Sequence, residues 1–450
     1  MKLSLEAVMQ NHKFGLVLPI ILISYLMILL DNSIVFTSTV KIAADLHMDA
    51  QNLAWVTNAY ALTFGGLLML GGRAGDIIGR RRVFISGLTI FTIGSLLVGL
   101  AQSGPMIIGM RALQGVGSAI LAPTTLALLM DNYTGSMRTR AIASYGATAG
   151  IGASFGLVIG GLIASYFSWR DGFLLNVPVG IILLILTLKV VPRVNGQGGR
   201  LDWVGAITSV IGFAGLIYSI NGAYGRLLAS IIAVVFLGLF VWAESRTKNP
   251  LMPLRLFADN ERSSAYIARF FYLGAMISYF FLVPQAMQHV YGYTPLLAAL
   301  GFLPETIPQF ISATVLARLN NRFTNNQLLV TGVVITLVGL ASGAVVGIHG
   351  GYFWALAVPM VVIGIGQGLS LSPLTVAGVA HTDPAIAGAA SGVVNTAHQI
   401  GGSFGLSVIV ALTSGFTKAA VSYDHAAVLM AGFMLIALLA TLNILRNSRR

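Results

Sequence analysis

The sequence predicts an all-α membrane protein in which fourteen transmembrane helices are arranged as six, two and six. Three observations lead to this prediction: the composition, the side on which the basic residues fall, and an internal repeat. The 450 residues are 56% hydrophobic and only 9% charged, whereas soluble domains are about one quarter charged. A chain with so few charges is typical of a protein that crosses a membrane many times.

Fourteen stretches have roughly the 20 mostly apolar residues that one crossing requires. They run near 14–38, 52–71, 83–101, 106–129, 140–164, 173–191, 203–221, 227–244, 265–288, 296–317, 328–348, 352–376, 386–412 and 425–445. The first stretch has no small-residue cleavage site behind a short apolar core. We therefore expect it to be a retained helix and not a signal peptide.

The basic residues give these segments an orientation. With the N-terminus in the cytoplasm, 20 of the 26 lysines and arginines fall on the cytoplasmic side and four on the other, while Arg111 and Arg269 lie inside or at the edge of segments. This bias follows the positive-inside rule and predicts that both termini are cytoplasmic. It also accounts for the formal charge of +12 without a nucleic-acid partner.

An internal repeat divides the chain. GASFGL at 152–157 returns as GGSFGL at 401–406, Gln114-Gly115 returns as Gln367-Gly368, and RAGDIIGR at 73–80 has a degraded copy, RLNNRFTN, at 318–325. With 52 glycines, chance recurrence is the alternative, but the three pairs keep their order and nearly the same offset. They predict two six-helix bundles, residues 1–192 and 263–450, separated by two additional helices within residues 193–262.

Two carboxyl groups lie well inside predicted segments. Asp31 interrupts YLMILLDNSIVF, and Glu305 lies between two prolines in GFLPETIPQF. A charge at the bilayer centre costs about 2.5–3.5 kcal/mol on insertion scales, so such residues are candidates for function. Burial disfavours the anion, which would allow either group to exchange a proton or attract a cation. The alternative is a structural carboxyl group that hydrogen-bonds to a neighbouring helix.

Other polar and aromatic side chains inside the segments complete the candidate site. Arg111 requires partners because it is always charged, and His398 could titrate near neutral pH, although a lone histidine in a polar patch favours a structural role. With Asp31 and Glu305, these two residues are the candidates for proton coupling or substrate contact. The candidates for lining a cavity are Asn32, Gln114, Asn395, Tyr60 and Tyr279; for the two tyrosines, an interfacial aromatic belt is the alternative.

The sequence lacks the residues and motifs that several kinds of enzymatic and nucleotide chemistry require. The chain has no cysteine, no Gly-Lys dipeptide for a Walker A phosphate loop, and no GxSxG or HExxH motif. We therefore expect no enzymatic activity, no ATP-driven step and no cofactor apart from protons.

Five stretches resemble signatures of the major facilitator superfamily or of one of its branches. GGRAGDIIGRRR (71–82) is similar to its cytoplasmic loop signature, IIGMRALQGVG (107–117) to that of its fourth helix, and GASFGLVIGG (152–161) to the antiporter signature of its fifth helix. LDNSIVFTSTVKIAADL and WRDGFLLNVPVG resemble the fourteen-helix drug:proton antiporter branch. The chain departs from these patterns at Leu157, where proline is usual, at Phe36 and Val40, and at Asn321, which replaces the acid of the first loop.

The resemblance implies the major facilitator fold and roles for particular residues. Asp31 and Arg111 would face a central cavity. A cytoplasmic gate would use Gly72, Asp76, Gly79, Arg80 and Arg81, and close helix packing would use Gly152, Gly156, Gly160 and Gly161.

The resemblance also implies a function: a monomeric, proton-coupled multidrug efflux pump of the bacterial plasma membrane. Its substrates would be lipophilic, often cationic drugs, dyes and antiseptics, with fluoroquinolones as further candidates. The lipid bilayer would be its only other partner. Two alternatives remain, an exporter of an endogenous lipid or metabolite and a non-transporting receptor or structural protein.

Overall fold

The computed structural model describes residues 14–447 except 195, 197, 200, 223, 248–249 and 384–385. The described residues form helices joined by short loops. The α-helices are α1 (Val17–Asp45), α2 (Ala50–Ile78), α3 (Arg80–Gly99), α4 (Gly104–Asn132), α5 (Gly135–Tyr166), α6 (Trp169–Leu174), α7 (Asn176–Val190), α8 (Trp203–Asn221), α9 (Arg226–Arg246), α10 (Asn260–Tyr291), α11 (Pro295–Leu300), α12 (Leu303–Leu319), α13 (Asn325–Val346), α14 (Val358–Gly378), α15 (Ala387–Thr413) and α16 (Ala419–Asn447).

Twelve helical units in the described part of the chain are long and apolar enough to cross a membrane. Three of them are composite, because α6 continues into α7, α11 into α12, and a π-helical turn (Phe353–Ala357) into α14. The predicted fifth and thirteenth segments form α5 and α15, which have 32 and 27 residues. Helix α15 is long enough but falls just below the same apolarity criterion, because it carries polar side chains such as His398 and Gln399. In α5, the apolar stretch that is described without interruption is the shorter Phe155–Tyr166. The helical architecture is confirmed, and the number fourteen stays a prediction.

The two copies of the repeat pack in the same way. A Cβ atom at Gly156 of α5 would lie 2.6 Å from the Cβ of Ser33 on α1, and one at Gly405 of α15 would lie 2.3 Å from the Cα of Gly274 on α10. Small residues at such positions let helix backbones approach closely. The recurring sequence GxSFGL therefore marks the same helix–helix contact in each half of the chain.

The two halves meet along α2 and α15, along α5 and α11, and along α1 and α10. Asn58 on α2 donates to the Ser407 hydroxyl on α15 at 2.7 Å, and the Thr396 hydroxyl donates to the Gly65 carbonyl at 3.0 Å. Helix α8 packs on both α2 and α15, and α9 packs mainly on α8. Large apolar side chains of α9 such as Leu227 and Val234 are exposed, as expected for a helix that faces lipid.

Candidate functional site

A cavity of about 1600 Å³ lies between the two halves. Helices α1, α2, α4, α10, α14 and α15 contribute to its wall. Arg73, Arg80 and Arg255 line its mouth, at the end that carries the arginine-rich loop. At the far end, Phe36 on α1 meets Phe280 on α10 with ring centroids 6.0 Å apart. The cavity is thus open at one end of the helical bundle and closed at the other.

Asp31 belongs to a closed polar network inside the N-terminal half. Its carboxylate forms an ion pair with Arg111, and its Oδ1 accepts from Gln114 Nε2 at 2.6 Å. Gln114 also accepts from Arg111 at 2.7 Å and donates to Ser95 at 2.7 Å. The guanidinium donates through Nε to the Val56 carbonyl at 3.1 Å and lies 4.2 Å from the ring centroid of Tyr60.

This network is sealed from the cavity. Asp31, Arg111 and Gln114 are each 0% exposed, Tyr60 is 1% exposed, and none of the four lines the cavity. The expectation that Asp31 and Arg111 face the cavity is therefore wrong for this structure, as is the assignment of Gln114 and Tyr60 to the cavity wall. The physical reason is that Asp31 and Arg111 neutralise each other within the N-terminal half, so neither charge requires a partner in the cavity. Asn32, the next residue, does line the cavity.

Glu305 has the opposite environment. It lies in the first turn of α12, is 0% exposed, and neither carboxyl oxygen has a hydrogen-bond partner among the described residues. The buried Tyr279 hydroxyl also has no hydrogen-bond partner among the described residues. Tyr279 packs against Phe302 and is buried, so its assignment to the cavity wall is wrong. Gln309, one helical turn after Glu305, does line the cavity.

His398 and Asn395 both line the cavity from α15. Nδ1 of His398 lies 3.1 Å from the guanidinium of Arg269 on α10. Arg269 also donates to the Leu371 carbonyl and to the Thr375 hydroxyl, at 3.2 and 2.9 Å. Arg269 has no role among the sequence-based expectations. Its position inside an apolar segment was the signal that could have identified it.

The predicted gate residues form contacts within the N-terminal half. Arg80 pairs with Asp76 at 3.1 Å and with Asp131, and it donates to the Ala127 carbonyl at 3.0 Å. Arg81 donates to the Leu188 carbonyl at 2.6 Å. Gly79 has φ = +107°, a conformation that favours glycine, between α2 and α3. Gly72 lies on the cavity wall with Asp76 and Arg80, so this motif borders the open mouth.

The glycines of α5 lie against two helices. Hypothetical Cβ atoms at Gly152, Gly156 and Gly160 would lie 2.6–2.8 Å from atoms of α1. A Cβ at Gly161 would lie 2.7 Å from the Cβ of Ala299 on α11. Leu157, at the position where the resembling signature has proline, is buried in the core cluster of the C-terminal half. The stripe therefore joins α5 to α1 and to the other half.

This packing yields a stability prediction. We expect Gly160→Ala to destabilise the protein by about 1–3 kcal/mol, because the new methyl group would lie 2.8 Å from the Ile34 Cα. Gly146→Ala on the same helix is the matched control, since a Cβ there meets nothing within 4 Å. Thermal unfolding in detergent measures both. Equal midpoints for the two variants would contradict the packing.

Two helical halves around a cavity that opens at one end, with polar groups buried in the bundle cores, define a membrane transporter. A family model described as "Major Facilitator Superfamily" matches residues 21–406. The chain belongs to this family, and the fold implied by the sequence resemblance is confirmed.

Curated relatives match nearly the whole chain. The cephamycin export protein CmcT of Amycolatopsis lactamdurans is 34% identical over 92% of this chain and 88% of its own length. The puromycin resistance protein pur8 of Streptomyces alboniger is 33% identical over 91% and 83%. The multidrug efflux pump LfrA of Mycolicibacterium smegmatis is 30% identical over 89% and 81%.

Solved structures share the fold at low identity. The POT family transporter PepTSo superposes with a TM-score of 0.71 at 13% identity, covering 97% of this chain and 98% of its own. The nucleoside transporter NupG superposes with a TM-score of 0.70 at 14% identity, covering 96% and 100%. These similarities concern the arrangement of the helices alone.

Proposed function

We propose that the protein exports lipophilic drugs in exchange for protons by alternating access. The observation that carries the proposal is Glu305, a buried carboxyl group to which no described residue donates a hydrogen bond, one helical turn from the cavity-lining Gln309. Relatives named as export, resistance and multidrug efflux proteins support the same function. The predicted substrates are drugs, dyes and antiseptics, often cationic, and fluoroquinolones are further candidates.

Glu305 suits a proton carrier better than Asp31. The carboxylate of Asp31 forms an ion pair with Arg111 and accepts a hydrogen bond from Gln114, so a proton there would remove the negative charge that neutralises Arg111. Glu305 loses no such interaction when it is protonated. An unpaired carboxylate in its apolar enclosure is costly, so release of the proton requires water or a partner to reach it.

That requirement links proton release to helix movement. A Cβ at Gly364 of α14 would lie 2.1 Å from the Glu305 carbonyl oxygen, so the α12 backbone lies directly against α14. A shift of α12 relative to α14 would change access to the carboxyl group. We propose that protonation from outside favours release of drug and that proton loss to the cytoplasm resets the pump.

We assign the orientation in the membrane from the arginine-rich loops, which the positive-inside rule places in the cytoplasm. With these loops in the cytoplasm, the cavity is open to the cytoplasm and the structure represents the state that receives drug from inside the cell. We propose a monomer in the bacterial plasma membrane, with both termini cytoplasmic and with protons as the coupling ion in place of any bound cofactor. Residues 193–262, between the two proposed bundles, carry α8 and α9 on the outside.

Transport in proteoliposomes tests this function. We expect an imposed pH gradient to drive accumulation of ethidium or norfloxacin, because downhill proton movement supplies the work. A protonophore should abolish accumulation, and empty liposomes are the control. Accumulation that ignores the gradient and the protonophore would overturn proton coupling.

A further inference from the structure

Arg269 is a buried cation without a counter-anion. It is 8% exposed, and within the described part of the chain its hydrogen bonds go only to neutral groups: the Leu371 carbonyl, the Thr375 hydroxyl and the His398 ring. Its Nε atom has no partner, and among the described residues Arg269 takes part in no ion pair. The buried Arg111 in the other half is, by contrast, neutralised by Asp31. A buried guanidinium without an anion is costly, so this site favours a negative partner.

His398 lies between Arg269 and the cavity. A guanidinium can only donate hydrogen bonds, so His398 Nδ1 must accept the one from Arg269. The ring is then neutral, with its remaining hydrogen on Nε2. His398 is half-buried and lines the cavity, and no described group pairs with Nε2. The ring therefore presents a donor, polarised by the guanidinium behind it, toward the cavity.

The rest of the cavity offers no competing anion at that depth. Its charged lining residues are Arg73, Asp76, Arg80, Glu244 and Arg255. All five lie near the mouth, in or beside the loops at the open end, and Asp76 is paired with Arg80. Beside His398 the wall carries the neutral amides Asn395 and Gln399, and Met276, Ile277 and Phe280 provide an apolar surface.

We propose that Arg269 and His398 form a subsite for an anionic or strongly hydrogen-bond-accepting group, such as a carboxylate, on an otherwise apolar substrate. Nε2–H of His398 would donate to the acid group, Arg269 would supply the compensating charge, and the apolar body would lie against Phe280 and Met276. This subsite rests on the proposed export function. It adds amphiphilic acids and acceptor-rich neutral compounds to the substrate class and ranks simple cations below them in affinity.

Equilibrium binding to the full-length protein in nanodiscs tests the subsite without requiring transport. The probes are pyrenebutyrate, its methyl ester and a pyrenebutyl trimethylammonium salt, which share one apolar body and differ in charge. Binding to empty nanodiscs is subtracted. We expect the wild type to bind the carboxylate at least about tenfold more tightly than the cation, because a hydrogen bond to a charged group is among the stronger ones.

The variants separate recognition from folding. We expect Arg269→Gln and His398→Phe to lose most of the preference for the carboxylate while binding of the ester changes little. His398→Gln should retain part of the preference, since its amide can accept from Arg269 and donate to the cavity. Arg322→Gln, an exposed arginine away from the cavity wall, is the matched control and should keep the preference.

Two outcomes would overturn the subsite: a wild type that binds the cation as tightly as the carboxylate, or an Arg269→Gln variant that weakens all three probes equally. If the wild-type protein showed no proton-driven transport but still preferred the carboxylate probe, the proposed proton coupling would be overturned and the subsite would not.

Discussion

Asp31→Asn is expected to destabilise the protein by about 3–5 kcal/mol, because it leaves Arg111 charged and fully buried without its anion. Arg111→Gln should cost a similar amount by leaving the carboxylate unpaired. The double variant Asp31→Asn with Arg111→Gln should be more stable than the less stable single variant, since neither residue then carries an uncompensated charge. Thermal unfolding in detergent, at equal protein and lipid concentration, provides the comparison.

Asp76→Asn is the matched control for this ion pair. Asp76 also pairs with an arginine, at 3.1 Å, but its side chain is 56% exposed. Exposed pairs contribute roughly 0–1 kcal/mol, so this variant should unfold close to the wild type. If Asp31→Asn proved as mild as Asp76→Asn, the closed network around Asp31 would not exist as described.

The second large effect concerns Glu305. We expect Glu305→Gln to bind drug but to release no proton when drug is added, since the amide has the shape of the neutral acid and no proton to exchange. Wild-type protein in weakly buffered solution should release protons on addition of ethidium or norfloxacin, followed with a pH-sensitive dye. The variant should also lose at least about tenfold in transport driven by a pH gradient, the size expected when the coupling ion is removed.

Glu261→Gln provides the control with the same chemical change. Glu261 accepts a hydrogen bond from Asn326 at 3.0 Å in the first turn of α10, away from the cavity wall. This variant should release protons as the wild type does. If Glu305→Gln still released protons, Glu305 would not carry the exchanged proton, and another titratable group would have to do so.

The helical architecture could be predicted from the sequence because bilayer thickness fixes the length and apolarity of each crossing. The close contacts of α5 were also predictable, since small residues at Gly156 and Gly160 leave room for a neighbouring backbone. Asp31, Arg111 and Glu305, three ionisable residues inside apolar segments of the sequence, are all buried; their roles stay predictions.

Their partners could not be predicted, because pairing depends on how helices distant in sequence are rotated against each other. Asp31 and Arg111 are 80 residues apart, and nothing local indicates whether they meet each other or the cavity. For the same reason, the contact between Arg269 and His398, which are 129 residues apart, could not be predicted. Tyr279 was assigned to the cavity for its residue type alone, yet the rotation of α10 places it against Phe302.

The most direct test of proton–drug exchange uses a drug gradient to drive proton movement. Proteoliposomes loaded with norfloxacin, with no pH gradient imposed, are diluted into drug-free buffer, and internal pH is followed with a trapped dye. The account predicts that drug leaving the wild-type liposomes drives protons the opposite way, and that Glu305→Gln moves none. Drug movement through the wild type without any proton movement would contradict it.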